Sequence, residues 1–397
     1  MHGLLRWFPA LVLAPVALVA FLPKETGPVV VPGVFRWRNN AWLENGEERA
    51  ITSNGVQRVY MKILDIDWNS AHGAHPVSTV TVPYQWRGYG HGDGYWSDSV
   101  ELVPCIYITN NTFLRIDDAE VKELAGNLLR KLRMHCPAKV RGVMLDCDWS
   151  AKTRSKFFRL TRIMKDSLNV PVTATIRLHQ YAQPNKTGVP PADRGMLMPY
   201  NVGDITTPGG INSIFDRGTA GPYFMDREPY PLPLDIGLPA FSWGVQFRKG
   251  AFMGILQENQ VNEATRAGLL SAGPSGALQV VKEDNDAMPS LHMGDEIRVE
   301  SITPAVIDEV IALARTAVNC DTLSVVYFEA GASTFQRMTV DEVRNGWKGF
   351  GSLRTGGYFD AQRAAALEAH LADSAAKAAW VNADTTATAV PMDTTDR

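Results

Sequence analysis

Short runs of hydrophobic residues recur between residues 29 and 330, with polar segments between them. Eight of these runs are rich in Val, Ile, Leu and aromatic residues and are typical of β-strands. In several of the intervening segments, such as 117–135, the apolar residues instead recur at helical spacing. The eight predicted strands are 29–37, 58–67, 102–109, 140–148, 171–179, 194–201, 231–243 and 322–330.

Strands that alternate with helices favour a parallel α/β fold, and eight strands favour a (β/α)8 TIM-like barrel over an open sheet. One helix is predicted after Ser150 as its N-cap, and another begins at Pro304, because proline suits the first helical turn. The segments 184–195, 202–230 and 249–300 have no clean helical period and are predicted to be long loops. In a barrel, such loops usually build the active-site face.

The two ends of the chain differ from its middle. In residues 1–27, Arg6 precedes an apolar stretch that is shorter than the ~20 residues a membrane-spanning helix needs. A signal peptide is therefore favoured, with an uncleaved N-terminal anchor as the alternative. We expect residues 28–355 to form the barrel domain and to work outside the cytoplasm, as a periplasmic or secreted protein. The Ala-rich residues 356–397 are predicted to form a helix followed by a disordered tail.

Composition limits the partners. A net charge of −3 without any basic run gives no general attraction to nucleic acid or to an anionic membrane. Contact with a membrane is therefore expected only through the possible N-terminal anchor. The four cysteines are widely spaced without a C-x-x-C pair, so we expect no thiolate metal site and assign no disulfide. No cofactor is expected.

Polar, ionisable and aromatic residues gather where the predicted strands stop, while the strand bodies are apolar. In a barrel the carboxyl ends of the strands share one face, so these residues would line one pocket. The candidate site residues at or near the strand ends are Trp37, Asp65, Asp67, Trp68, Asn110, Asp146, Asp148, Trp149, Arg177, His179, Tyr200, Asn201, Asp235, Trp243 and Glu329.

The motif Leu-Asp-x-Asp-Trp occurs twice, at 64–68 and at 145–149. Because side chains alternate along a strand, Asp146 and Asp148 should both face the barrel axis, with Cα atoms ~6.5–7 Å apart. Repulsion between them would raise one pKa and leave a protonated acid at neutral pH. Alternatively, Arg177 is a charge partner that keeps both acids ionised. The acids of the first copy either hold the barrel mouth together, through backbone amides and Lys62, or take part in the chemistry.

The sequence KVRGVMLDCDW, on the fourth predicted strand, resembles the Asp-x-Glu strand end of the chitinase-type family 18 glycoside hydrolases. The resemblance implies that Asp148 is the general acid and that Asp146 orients the acetamido group of the substrate. Met198-Pro199-Tyr200-Asn201 is similar to the family's Met-x-Tyr-Asp and implies that Tyr200 stabilises the intermediate. This chain has Asp148 where the family has glutamate, and Asn201 where the family has aspartate.

A broader resemblance covers most of residues 30–250, through RLHQ, GVPPADRGMLMPYN and PLPLDIGLPAFSWG. These segments are similar to uncharacterised bacterial secreted proteins with hydrolase-like TIM barrels. The resemblance implies the barrel fold.

Three functional classes follow. The first is an extracytoplasmic glycoside hydrolase acting on a polysaccharide or amino-sugar glycan, in which Asp148 is assisted by a substrate acetamido group, Asp235 or Glu329. A carboxyl separation of ~5–5.5 Å would then predict retention of configuration, and ~6.5–9.5 Å inversion. The second is a non-catalytic glycan-binding barrel, whose tryptophans bind sugar rings while its acids stay ion-paired. The third, a metal-dependent hydrolase using the Asp-x-Asp pairs and His179, is disfavoured because this is a thin set of ligands.

Overall fold

The structure is a computed structural model that carries side chains. The segments 1–26 and 356–397, on which the predicted signal peptide or anchor and the predicted tail fall, lie outside the described residues. The structure describes residues 27–40, 47, 51, 53–82, 100–136, 140–273, 275–284, 286–329 and 337–355.

The elements of the described residues alternate between strand and helix over most of the chain. The strands are β1 (Val29–Arg36), β2 (Arg58–Asn69), β3 (Gly73–Thr79), β4 (Glu101–Ile108), β5 (Val143–Asp146), β6 (Val172–Arg177), β7 (Arg194–Met198), β8 (Leu234–Pro239), β9 (Ser242–Arg248), β10 (Ala251–Gln257), β11 (Leu270–Ala272), β12 (Leu278–Val280), β13 (Glu296–Ser301), β14 (Thr322–Phe328) and β15 (Ser352–Leu353). The helices are α1 (Asn110–Arg115), α2 (Asp118–His135), α3 (Arg154–Ser167), α4 (Leu178–Ala182), α5 (Pro184–Thr187), α6 (Arg217–Ala220), α7 (Glu258–Arg266), α8 (Pro304–Ala314) and α9 (Val340–Lys348).

Eight parallel strands close into a barrel in the order β1, β2, β4, β5, β6, β7, β8 and β14, with β14 paired back to β1. The predicted (β/α)8 TIM-like barrel is therefore confirmed, and each of the eight predicted strand regions contributes one barrel strand. The strand bodies are apolar because one side faces the barrel interior and the other faces the helices. Strand β3 forms an antiparallel hairpin with β2.

The helices begin where local capping chemistry is satisfied. Asp117 and Glu120 form a capping box at the start of α2. Thr303 caps α8, and Pro304 is its first residue, as predicted. The prediction for Ser150 is wrong: α3 begins at Arg154 with Thr153 as the N-cap residue. Among the described residues, no helix is both long and apolar enough to cross a membrane.

A second sheet, inserted between β8 and α8, corrects two predictions. The predicted strand 231–243 is two strands, because β8 ends at Pro239 and Ser242 begins β9. The predicted loop 249–300 contains most of a five-stranded antiparallel sheet in the order β10, β9, β13, β12 and β11. This sheet has a small core of its own, which packs Ile297 with Val261 of α7.

Candidate functional site at the barrel mouth

The carboxyl ends of β2, β4, β5 and β6 bring four polar side chains into one row. Asp65 pairs in register with Tyr107, and Tyr107 pairs with Asp146. Thr175 completes the row, because its Oγ1 donates to Asp146 Oδ1 at 2.7 Å. Register partners of a parallel sheet point to the same side, so these side chains share the inner wall. Sequence reasoning missed Tyr107. It lies in a predicted strand, and as the register partner of Asp65 and Asp146 its side chain points inward like theirs.

Asp146 is the buried carboxyl of the site, with 6% of its surface exposed. Burial raises its pKa to about 6, against the opposing effects of Arg177 and the Thr175 hydrogen bond. Asp148 and Asp65 add to the increase, because their negative charges disfavour a further carboxylate nearby. Asp146 is therefore a carboxyl that holds its proton well above the range of an ordinary aspartic acid.

Asp148 has a different environment. Arg177 donates to both of its carboxylate oxygens, from Nε to Oδ1 at 2.5 Å and from Nη2 to Oδ2 at 3.1 Å. Arg177 and Asp148 thus form a bidentate ion pair. The Asp148 side chain is also 48% exposed. β5 ends at Asp146, so Asp148 lies two residues beyond the strand, and the predicted alternative in which Arg177 is its charge partner describes the contact that the structure shows.

Tyr200 lies on the other side of the mouth. Its hydroxyl is buried and has no hydrogen-bond partner among the described residues. Burial raises the pKa of this phenol, against the opposing effect of Arg177, and the charges of Asp146 and Asp148 raise it further, so the hydroxyl keeps its proton. Tyr200 packs at 6.0 Å from Phe241 and at 5.8 Å from Phe328, measured between ring centroids.

Aromatic rings continue from Tyr200 around the mouth. The Phe328 ring is 5.9 Å from that of Trp37, and Trp37 is 6.2 Å from Tyr107. On the opposite flank, Phe241 is 5.2 Å from Trp243. The mouth therefore has an aromatic wall that runs from Tyr107 to Trp243, and sequence reasoning identified only some of its members.

Charged groups lie on the β1 and β2 side of the mouth. Glu329 follows β14 directly, and burial raises its pKa, while Arg38 opposes the increase. Lys62 forms an ion pair with Asp65 at 2.6 Å and donates to Asn39 at 2.7 Å. The second oxygen of Asp65, Oδ1, is buried and has no partner in the described part of the chain. Among the described residues, only one of the two Asp65 carboxylate oxygens has a partner.

Asp67 serves the structure of the mouth. Its Oδ1 accepts hydrogen bonds from the Trp68 backbone N–H at 2.8 Å and from Thr109 Oγ1 at 2.6 Å. These bonds lower its pKa, the Thr109 bond most. Asp67 thus ties the end of β2 to the turn after β4. Nearby, the guanidinium of Arg115 lies 5.5 Å from the Trp68 ring.

Asp235 does not belong to the mouth, which corrects its prediction as a second carboxylate. It lies near the start of β8, and Arg194, the first residue of β7, donates to both of its oxygens at 3.0 and 2.9 Å. Its Oδ1 also accepts the backbone N–H of Ser324 at 2.6 Å. Asp235 is 1% exposed and joins strands at the amino end of the barrel, away from the strand ends that form the mouth.

Trp149 is a second correction. It is 2% exposed and stacks on Phe157 of α3 with 5.2 Å between ring centroids. Its Nε1 donates to the carbonyl of Thr187 at 3.2 Å. Because its ring packs against the outer helix layer, Trp149 cannot form a face for a ligand.

The other candidates surround the mouth in different ways. Asn110 accepts a hydrogen bond from Thr153 Oγ1 at 2.6 Å and so joins the turns that follow β4 and β5. Asn201 is exposed and adopts a positive φ of 57°. His179 is exposed on α4, and partial burial of its ring lowers its pKa, while the charge of Asp148 opposes this. Within the described residues, no group of three or more His, Cys, Asp or Glu side chains is arranged to hold a metal ion.

Neither a protein-family model nor a curated protein sequence matches the chain. Among solved structures it is similar to a chitinase from Bacteroides thetaiotaomicron (12% identity, TM-score 0.45, covering 81% of this chain and 96% of that one). It is also similar to the spore cortex-lytic enzyme SleL of Bacillus cereus (12% identity, TM-score 0.44, covering 84% of this chain and 77% of that one). A third similar structure is that of the xylanase and α-amylase inhibitor protein of Scadoxus multiflorus (11% identity, TM-score 0.40, covering 81% of this chain and 97% of that one). Likeness at this level carries no argument about activity.

Proposed function

We propose that this chain is an extracytoplasmic glycoside hydrolase-like protein that cleaves a polysaccharide or amino-sugar glycan at the barrel mouth, with Asp146 as the general acid. The observation that carries the proposal is the contrast between two neighbouring acids. Asp148 is exposed and forms a bidentate ion pair with Arg177, whereas burial lets Asp146 keep its proton up to about pH 6. A buried carboxyl with a raised pKa, next to other acids of the same site, is typical of general acid catalysis.

This assignment moves the general acid from Asp148 to Asp146. Both carboxylate oxygens of Asp148 already accept hydrogen bonds from Arg177, so Asp148 is poorly placed to donate a proton to a substrate oxygen. Asp146 has Thr175 bonded to Oδ1, which leaves Oδ2 to carry the proton. The Asp146 proton would pass to the glycosidic oxygen as its bond to the anomeric carbon breaks, the group opposite Asp146 would bond to or stabilise that carbon, and water would then add to it and return a proton to Asp146.

Two groups can act opposite Asp146. One is an acetamido group of the substrate itself, which the family resemblance implies. The other is Asp65, which lies in the same row as Asp146 and has one oxygen without a partner in the described part of the chain. Glu329 fits less well as a base or nucleophile, because its burial favours the protonated form. The Tyr200 hydroxyl, buried and unpartnered, can donate to the intermediate.

The aromatic wall supports a carbohydrate ligand. Trp37, Tyr107 and Trp243 are partly exposed, and flat aromatic faces suit the apolar faces of sugar rings. The location outside the cytoplasm rests on the N-terminal segment 1–27, and fractionation of cells that express the full chain tests it.

A second candidate, a non-catalytic glycan-binding barrel, is favoured by one observation. The position that corresponds to the acid of the resembling family is occupied by Asp148, and Arg177 neutralises it. In this alternative the aromatic wall binds the glycan, and Asp146 is a buried structural acid.

The deciding experiment is a screen of the full chain against bacterial polysaccharides and amino-sugar glycans, scoring both binding and new reducing ends. Asp146→Asn should abolish cleavage while it preserves binding, and cleavage by wild type should fall as the pH rises above about 6. Asp148→Asn should retain measurable cleavage. Asp67→Asn is the matched control, because Asp67 is a structural acid of the same mouth.

Binding without cleavage by wild type would establish the glycan-binding alternative. Cleavage by Asp146→Asn at the wild-type rate would remove Asp146 from the acid role. Loss of activity on chelation would instead support the metal-dependent class.

A further inference from the structure

A cavity of about 470 Å³ lies at the amino end of the barrel, at the opposite end from the mouth. Its walls come from β1, from the turn that precedes β2, from α9 and from the segment that follows α9. We call it the amino-end pocket and define it by four of its lining residues, Gln57, Arg344, Lys348 and Arg354. A cavity of this volume is large enough for a small organic ligand.

The charged side chains that line the amino-end pocket are basic. Arg344 and Lys348 lie four residues apart on α9 and therefore on the same face of that helix. Arg354 adds a third cation from the segment that follows β15. None of the described residues that line the pocket is an Asp or a Glu. The lining is therefore positively charged.

Arg354 is fixed through both its backbone and its side chain. Its backbone N–H donates to the Val30 carbonyl at 2.7 Å, which ties it to β1. Gln57 holds it with both side-chain amide atoms, because Nε2 donates to the Arg354 carbonyl at 2.7 Å and Oε1 accepts from Arg354 Nε at 2.5 Å. Gln57 itself is 5% exposed. A guanidinium held in this way loses little further freedom when it binds a ligand.

The carboxylate that pairs with Arg354 leaves a positive charge beside the pocket. Glu101 accepts from Arg354 Nη1 through Oε1 at 2.9 Å, and from Arg58 Nε through Oε2 at 2.8 Å. One carboxylate thus serves two guanidinium groups, and the Arg354 side chain remains 31% exposed. The helix dipole favours a cation at Lys348, the last residue of α9, but it does not account for Arg354, which lies beyond the helix.

We propose that the amino-end pocket binds a phosphate group, with Arg354 and Lys348 as the side chains that contact it. A planar guanidinium matches two oxygens of a phosphate, and an ammonium group adds a compact charge. Basic side chains that come from two separate segments suit a ligand with two negative charges better than a single carboxylate. The proposal does not rest on the proposed function of the mouth, because the pocket lies at the other end of the barrel.

Two sources could supply such a phosphate. Gly27, which also lines the pocket, is the residue at which segment 1–26 joins the described chain. That segment contains the apolar stretch predicted to be a signal peptide or an anchor. The phosphate therefore belongs either to a soluble phosphate ester or to the headgroup of an anionic lipid, and the test separates these sources.

The first experiment is isothermal titration of the full chain with pyrophosphate, at an ionic strength held constant with sodium chloride. Wild type should bind saturably, and its Tm should rise with the logarithm of the pyrophosphate concentration. Lys348→Gln should weaken binding by about fivefold or more, because it removes a charge-assisted contact, and Lys348→Arg should restore most of the affinity. Because Lys348 is exposed, both variants should fold like wild type.

The second experiment is sedimentation of the same proteins with phosphatidylcholine vesicles, with and without phosphatidylglycerol. A lipid headgroup as the source predicts binding that requires phosphatidylglycerol and that falls in Lys348→Gln. A soluble phosphate as the source predicts binding of pyrophosphate and no such dependence on lipid.

Lys122→Gln is the matched control, because Lys122 is an exposed lysine of α2 that does not line the pocket. This variant should bind pyrophosphate and vesicles as wild type does. The proposal is overturned if neither pyrophosphate nor the anionic vesicles bind in a way that depends on Lys348. It is also overturned if Lys122→Gln loses as much affinity as Lys348→Gln, since the attraction would then come from the overall charge of the chain.

Discussion

Asp146→Asn is expected to stabilise the folded protein at pH 7 and above, and to lose this advantage in acid. Burial raises the pKa of the Asp146 carboxyl from the ordinary 3.8 to about 6. As the pH rises between these values, the carboxyl ionises in the unfolded chain while it stays protonated in the folded chain. The free energy of unfolding therefore falls as the pH rises. Asparagine has no proton to lose and avoids this loss of stability.

The magnitude follows from the pKa difference. At about 1.36 kcal/mol per pH unit, the rise costs the folded state about 3 kcal/mol above pH 6. The asparagine amide has nearly the shape of the carboxyl and can still accept the hydrogen bond from Thr175. At about pH 3 the carboxyl is neutral in both states, so the free energies of unfolding of wild type and variant should nearly coincide.

Urea unfolding of wild type and Asp146→Asn, followed by circular dichroism from pH 3 to pH 8, measures this difference. Asp67→Asn is the control with the opposite sign. Hydrogen bonds lower the pKa of Asp67, so its contribution is present at neutral pH and is lost as the pH falls, and its replacement should destabilise the protein only above acid pH. The burial argument would be refuted if the difference in the free energy of unfolding between Asp146→Asn and wild type did not change with pH, or if the variant became less stable than wild type as the pH rises.

Three further predictions concern stability. Asp235→Ala should lower the free energy of unfolding by about 3 kcal/mol, since it leaves an arginine without its buried partner; glycan binding measured by titration should not change. Trp149→Ala should cost about 3–5 kcal/mol in urea unfolding, again without effect on binding, and altered affinity would return Trp149 to the site. Gly346→Ala should destabilise, because its Cβ would overlap the Tyr327 hydroxyl, whereas Gly126→Ala, with open space around the added methyl group, should stabilise by about 0.5–1 kcal/mol; thermal melts of both variants check the signs.

The acids at the strand ends could be located from the sequence, but the side chains that bind them could not. Asp146 and Asp148 are two residues apart and look equivalent in the motif Leu-Asp-Cys-Asp-Trp. Their difference comes from Arg177 and Thr175, which belong to the next strand of the barrel. A hydrogen bond from a residue 29 positions away in the chain leaves no signal in the local sequence pattern.

The same limit explains the errors at Asp235, Trp149 and the second sheet. Asp235 follows an apolar run like the other acids, yet its place near the start of β8 puts it at the opposite end of the barrel. Trp149 follows Asp148 at the strand end, yet its ring turns outward onto α3. The strands β11 and β12 have three residues each, which is too short for alternation to be recognised.

The sequence by itself determined the barrel, because the spacing of apolar residues sets which segments become strands and helices, and eight such strands close on themselves. It also located some of the acids and aromatic residues that the strand ends carry to the mouth. Only the tertiary structure decided which acid keeps its proton, because burial and ion pairing depend on residues that are distant in the chain. That decision separates Asp146 from Asp148, and it is the physical basis of the proposed chemistry.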